Sequence, residues 1–185
     1  MGYPFHCVRA RAVLGRGGII AYPTEGVWGL GCDPFNKAAV ERLLALKNRP
    51  WQKGLIVALA NERVAGALLQ SMPEGRQCAI KSTWPGPNTW LVPHGDLWPY
   101  WITGESDFIA CRLSAYSVVC DLARAAGGAI VSTSANPAGR PPAMTAQQVR
   151  HYFGRSIEFI MPGGVQGLQK PSVIRHGITG EILRG

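Results

Sequence analysis

The sequence has no apolar run approaching the ~18–20 residues that a bilayer-spanning helix requires, so no membrane span is expected. A signal peptide is missing too. The chain starts Met1-Gly2-Tyr3-Pro4-Phe5-His6-Cys7, and Arg9, Arg11 and Arg16 interrupt the residues just beyond. None of the five cysteines (Cys7, Cys32, Cys78, Cys111, Cys120) pairs with another at C-x-x-C spacing, and no histidine stands at zinc-finger distance from a cysteine pair. A disulfide framework and a structural zinc are therefore not expected, and the thiols read as those of a reduced, cytoplasmic protein. Internal repeats, heptads and low-complexity tracts are absent. So are the dinucleotide signature G-x-G-x-x-G and the P-loop G-x-x-x-x-G-K-[ST]. Acidic residues are the scarce charge: 11 Asp and Glu against 19 Lys and Arg, a formal +8. That sign favours anionic partners such as nucleotides, phosphates or RNA, although many basic chains are merely soluble.

What is present suits a globular chain. The 185 residues are 46% hydrophobic and 16% charged, enough for one domain with a real core, taken as residues 1–185. The 23 glycines and 14 prolines follow no period, which excludes a collagen-like chain and points to many turns. Helices are expected at 6–15, from 37 to about 46 with Asn36 as N-cap, at 62–70, 74–82, 117–126 and 146–152. Strands are expected at 19–22, 55–59, 89–92, 108–112, 129–132, 157–161, 172–175 and 181–184. The alternation argues α/β. Hairpin-like joins near 92–108 and 175–181 argue a mixed parallel/antiparallel sheet with flanking helices. The stretch 93–106 reads as a surface loop.

Four segments could carry chemistry. Tyr22-Pro23-Thr24-Glu25 through Gly29-Leu30-Gly31-Cys32-Asp33 follows a buried strand, where α/β sheets place ligands, and holds three glycines, a hydroxyl and two carboxylates. The plainer reading is a glycine-rich turn packing Trp28. Lys47-Asn48-Arg49-Pro50 ends a helix, where cations are favoured by the dipole in any case. With Lys53 just beyond, the same cations could grip a polyphosphate. Ser132-Thr133-Ser134-Ala135-Asn136 ends a strand with hydroxyls and an amide suited to a polar ligand, or simply to capping. A nucleophilic Ser134 finds no motif linking it to His6, His94, His151 or His176. Trp84-Pro85-Gly86-Pro87 is a rigid turn or a pocket wall.

Taken in order, these segments resemble the YrdC family of threonylcarbamoyl-AMP synthases in its single-domain bacterial form. The likeness runs from residue 19 to the end and includes Arg112, Pro171-Ser172-Val173-Ile174-Arg175, Thr179-Gly180-Glu181 and Arg184. Its most specific part is K-x-R (Lys47, Arg49) followed far downstream by S-x-N (Ser134, Asn136). The resemblance implies a twisted sheet with a concave basic cleft. It also implies a reaction: L-threonine, bicarbonate and ATP give threonylcarbamoyladenylate and pyrophosphate. The product would pass to downstream threonylcarbamoyl-transfer proteins that modify adenosine 37 of tRNAs reading codons that begin with A.

By the same resemblance Lys47 and Arg49 are the catalytic cations and contact ATP together with Lys53, Asn136 and Arg184, while Thr24, Arg112, Ser134 and Ser172 face threonine. Mg²⁺ would ride on the nucleotide, with no metal site of the chain's own. Trp28, Asn88 and Phe108 depart from the family's usual residues. The sequence ends after Arg184 without the longer branch's extra domain, so a lid would have to come from within. Two other readings remain open at this point: a non-catalytic module binding double-stranded RNA or tRNA, also linked to ribosome maturation, and a carbamoyl-transfer domain detached from a larger enzyme.

Overall fold

The computed structural model describes residues 5–167 and 172–184. Seven helices and ten strands occur among them: α1 (Phe5–Leu14), β1 (Ile20–Pro23), β2 (Trp28–Gly31), α2 (Lys37–Lys47), β3 (Ile56–Leu59), α3 (Glu62–Leu69), α4 (Glu74–Lys81), β4 (Asn88–Pro93), α5 (Tyr100–Thr103), β5 (Phe108–Arg112), α6 (Ser117–Ala125), β6 (Ala129–Val131), β7 (Thr133–Ser134), α7 (Ala146–Phe153), β8 (Phe159–Ile160), β9 (Val173–His176) and β10 (Ile182–Arg184). The α/β class and the mixed strand directions agree with the sequence. Three elements differ from it. The glycine-rich stretch after β1 contains strand β2, the loop 93–106 contains the short helix α5, and the strand expected at 129–132, observed as β6, is followed at once by a further short strand, β7.

The strands form two mixed sheets, ordered β7-β2-β1-β8 and β10-β9-β4-β5-β3-β6. Strand β3, interior to the larger sheet, is parallel to β5 and antiparallel to the edge strand β6. Its run Ile-Val-Ala-Leu is apolar on both sides because both faces are covered. Val57 and Leu59 enter the larger core with Val40, Leu43 and Leu69, whereas Ala58 turns to the core beneath α1 and α6. The hairpin joins are real: β4 pairs antiparallel with β5, and β9 with β10.

The chain passes most directly from one sheet to the other between β6 and β7. Residues 129–131 pair with β3 in the larger sheet, and residues 133–134 pair with β2 in the smaller. Between them, the Val131 N–H donates to Cys32 O at 3.0 Å and the Ser132 N–H to Ile56 O at 2.7 Å. Close approach here requires glycine at 31, where a Cβ would lie 2.4 Å from Val131 O.

Helix α2 shows how sequence aims a functional end. Asn36 caps its start, its side chain accepting from the Ala39 N–H at 3.0 Å. Asn48 ends it in the left-handed region (φ 49), donating back to Ala45 O, while the Arg49 N–H reaches Leu44 O. This αL stop satisfies the terminal carbonyls and turns the chain sharply, so Lys47 and Arg49 leave the helix in fixed directions.

Candidate active site

A cleft of about 560 Å³ opens where the sheets meet. All nine residues singled out from the sequence border it: Thr24, Lys47, Arg49, Lys53, Arg112, Ser134, Asn136, Ser172 and Arg184. Thr24 comes from the β1–β2 connection, Lys47 and Arg49 from the end of α2, and Arg112 from the end of β5. Ser134 is in β7, and Arg184 in β10. The cleft lining, within the described residues, carries five cationic side chains and one carboxylate, Glu25. Pro171, part of the Pro171–Arg175 motif, lies outside the described residues.

The two cations of K-x-R do different jobs. Lys47 is buried, and its Nζ donates to Ser134 O at 2.5 Å, to Asn136 O at 2.7 Å and towards Asn136 Oδ1 at 3.4 Å. Its own carbonyl accepts from the Ala138 N–H at 3.0 Å. Lys47 thus fastens the S-x-N segment to the end of α2. Burial, and after it the neighbouring Arg49 charge, pushes this ammonium down to about 8. Arg49 is half-buried. Its Nε and Nη2 donate to Gly54 O at 3.1 and 2.8 Å, and Nη2 also reaches Lys53 O at 3.1 Å. The Nε–Nη2 edge of the guanidinium therefore holds the 50–54 turn in place. Burial, then the charge of Arg184, weighs against the protonated form of Arg49. Two cations repelling each other in one cleft, neither in an ion pair with a carboxylate among the described residues, make a natural seat for a polyanion.

Arg112 stands apart in environment. Its side chain is 8% exposed and that of Glu25 6%, with Nη1 3.4 Å from Glu25 Oε2. Arg112 Nη2 lies 3.3 Å from Ser132 Oγ, and Ser114 Oγ donates to Glu25 Oε1 at 2.5 Å. Ser132 reaches Arg112 because it sits where the chain crosses between sheets.

The hydroxyl positions are similarly held. Ser134 Oγ donates to Asn136 Oδ1 at 2.6 Å, and Asn136 Nδ2 donates to Arg140 O at 2.8 Å. The amide oxygen facing Ser134 is no proton acceptor for catalysis, which leaves a hydrolase-type nucleophile without its base. Thr24 Oγ1 donates to Val27 O at 2.7 Å, and Ser172 Oγ pairs with Thr89 Oγ1 at 2.8 Å. Arg184 Nη2 reaches Ser172 O at 3.2 Å, tying β10 to the segment before β9.

Of the unusual residues, Trp28 is buried, with its Nε1 unpartnered among the described residues, and Phe108 packs on His176 with ring centroids 4.7 Å apart. Both readings of the 84–87 turn hold: Trp84 is buried and Pro87 lines the cleft.

Glu25 and Ser132 lie in segments singled out from the sequence but were given no role of their own, and Ser114 was not singled out. Glu25 had a usable signal, as a carboxylate directly beside the candidate ligand residue Thr24. Ser114 had none, because its contact with Glu25 spans 89 residues.

Residues 12–185 match the Sua5/YciO/YrdC family, described as "Telomere recombination". Threonylcarbamoyl-AMP synthase of Pseudomonas putida is 49% identical over 180 residues, 97% of this chain and 97% of that protein. The Halorhodospira halophila protein of the same name is 48% identical over 98% of this chain and 95% of its own length. Among solved structures, P. abyssi Sua5 complexed with L-threonine superposes with a TM-score of 0.84 at 31% identity over 92% of this chain. This chain spans 50% of that longer protein.

Proposed function

The chain belongs to the Sua5/YciO/YrdC family, and from that premise we propose that it makes L-threonylcarbamoyladenylate and pyrophosphate from L-threonine, bicarbonate and ATP. The observation that carries this reading is one cleft holding cations in two distinct settings, Arg49 beside Arg184 without a carboxylate partner among the described residues, and Arg112 paired with Glu25. The substrates bring two kinds of anion, a polyphosphate and an amino-acid carboxylate.

The chemistry needs no enzyme nucleophile. The threonine amine adds to the carbon of bicarbonate-derived CO₂ and loses a proton, giving a carbamate. A carbamate oxygen attacks the α-phosphorus, and the bond to the β-phosphate oxygen breaks as pyrophosphate leaves. Both carbamate and mixed anhydride are labile in water, so placement, charge neutralisation and exclusion of water are what the protein must supply.

In this reading Arg49, Lys53 and Arg184 receive the phosphates, and Arg112 receives the threonine carboxylate. Thr24, Ser134 and Ser172 contact threonine, and Asn136 contacts the nucleotide. Lys47 acts chiefly by holding Ser134 and Asn136 in register. Mg²⁺ enters on ATP, coordinated by phosphate and water oxygens. The only carboxylate in the described lining is already engaged by Arg112 and Ser114. Residues 1–185 act as one domain, and the labile product passes to tRNA-modifying transfer proteins in the cytoplasm. Relatives about 49% identical over nearly their whole length favour the synthase over a non-catalytic RNA-binding module. Among the described residues no helix is long and apolar enough to cross a membrane.

Pyrophosphate release should require threonine and bicarbonate together. Release at the same rate without threonine would refute the reading. Arg184→Ala should raise the KM for ATP about tenfold, the scale of one charge-assisted contact, while the KM for threonine changes little. Arg49→Lys should recover only part of the Arg49→Ala defect, because an ammonium cannot hold Gly54 O and a phosphate with one planar fork. Wild-type ATP kinetics in both Arg49 variants would remove Arg49 from the phosphate seat.

A further inference from the structure

The cleft must hold several anions at once without exchanging their places. A bare arginine at the threonine end would attract polyphosphate more strongly than it attracts one carboxylate, because a polyphosphate carries more charge. We propose that Glu25 is a specificity-determining residue that sorts these anions. It neutralises Arg112, excludes phosphates from the amino-acid end and reserves that end for the carboxylate of a zwitterion. This inference rests on the reading that Arg112 receives the threonine carboxylate.

Three observations carry it. First, the cations of the cleft are not treated alike. Among the described residues Arg112 has a carboxylate partner, while Arg49, Lys53 and Arg184 have none. Second, the Glu25 side chain is itself 6% exposed and is held by the Ser114 hydroxyl at 2.5 Å, so its charge is fixed at the cleft. Third, the Arg112 contacts are long, 3.4 Å to Glu25 and 3.3 Å to Ser132, against the 2.7–2.9 Å typical of tight charge-assisted bonds. A guanidinium has five N–H donors, and these two contacts leave others for a ligand.

The pair is therefore electrically balanced but not saturated with hydrogen bonds. A neutral zwitterion meets no net repulsion there and still finds donors for its carboxylate. A phosphate or polyphosphate meets the buried Glu25 charge in a low-dielectric setting, where repulsion is poorly screened. Such anions are left to Arg49, Lys53 and Arg184. Glu25 in this role touches no substrate and acts through Arg112.

The test uses the full chain, adenylate formation as the readout and inorganic tripolyphosphate as the probe. In the wild type, tripolyphosphate should raise the KM for ATP and leave the KM for threonine unchanged. In Glu25→Gln the same concentrations should raise the KM for threonine about tenfold, and Glu25→Asp should return it towards the wild-type pattern. A residue with a merely structural role would lower the melting temperature or kcat without making the threonine KM depend on tripolyphosphate. A folded Glu25→Gln whose threonine KM ignores tripolyphosphate overturns the proposal. So does competition between tripolyphosphate and threonine in the wild type, an arm that does not depend on the variant folding. Arg112→Lys with an unchanged threonine KM would instead overturn the underlying assignment of Arg112, and the proposal with it.

Discussion

Arg112→Ala is expected to lose both stability and threonine-dependent turnover. Removing the guanidinium leaves the Glu25 carboxylate buried with only the Ser114 hydroxyl for company. Breaking a buried pair from one side typically costs about 3–5 kcal/mol. Turnover should fall by about 100-fold or more, because the threonine carboxylate loses its cation and the amine its fixed approach to the carbon. The two effects can be separated. Adding Glu25→Gln to Arg112→Ala removes the stranded charge and should restore most of the stability, measured by urea unfolding, without restoring adenylate formation. A single variant with wild-type threonine KM, or one destabilised by less than about 1 kcal/mol, would contradict the assignment of Arg112 as a buried, paired, substrate-facing cation.

Lys47→Met should cut kcat/KM by about 100-fold, since small misplacements at a reacting centre are that costly. The cause is indirect. Without Nζ the carbonyls of Ser134 and Asn136 lose the donor that draws them together, and the Ser134 and Asn136 side chains lose their common anchor. Lys47→Arg should not rescue, because a planar fork cannot converge on the carbonyls that surround one tetrahedral ammonium.

The pH dependence has a definite sign. Lys47 ionises at about 8 in the folded chain against an ordinary 10.5. Between those values the unfolded chain holds the extra proton, so this residue's contribution to stability rises with pH across that window and is constant below it. Activity should move the other way, falling as the ammonium loses a donor above pH 8 or so. Stability and activity profiles that rise together above that pH, or a Lys47→Met protein that keeps the wild-type stability slope there, would contradict this account of Lys47.

Much of this was legible in one dimension. The α/β class followed from apolar runs alternating with helical faces, and the Asn36 cap from an amide placed before a periodic stretch. The hairpins followed from turn residues between strand-like runs. K-x-R and S-x-N, Thr24, Arg112, Ser172 and Arg184 were readable as an ordered set through the family resemblance, and all of them border one cleft. Strand β2 was hidden because Trp-Gly-Leu-Gly has the composition of a turn. It is a strand because β1 pairs with it on one side and β7 on the other. Helix α5 was hidden because its four residues are too few to show a period.

The sequence by itself determined which residue types are available: cations at a helix end, hydroxyls at a strand end, few carboxylates and no metal or nucleotide signature. Only the tertiary structure decided how their charges are shared. Lys47 turns inward to three oxygens of its own chain, Arg49 divides itself between the 50–54 turn and the cleft, and Arg112 finds Glu25 from 87 residues away. Pairing, burial and repulsion depend on distances between groups far apart in the chain. For Lys47 and Arg112 those distances are set by how the two sheets are joined, most directly where the chain passes from β6 to β7 through Ser132, which no local pattern of residues records.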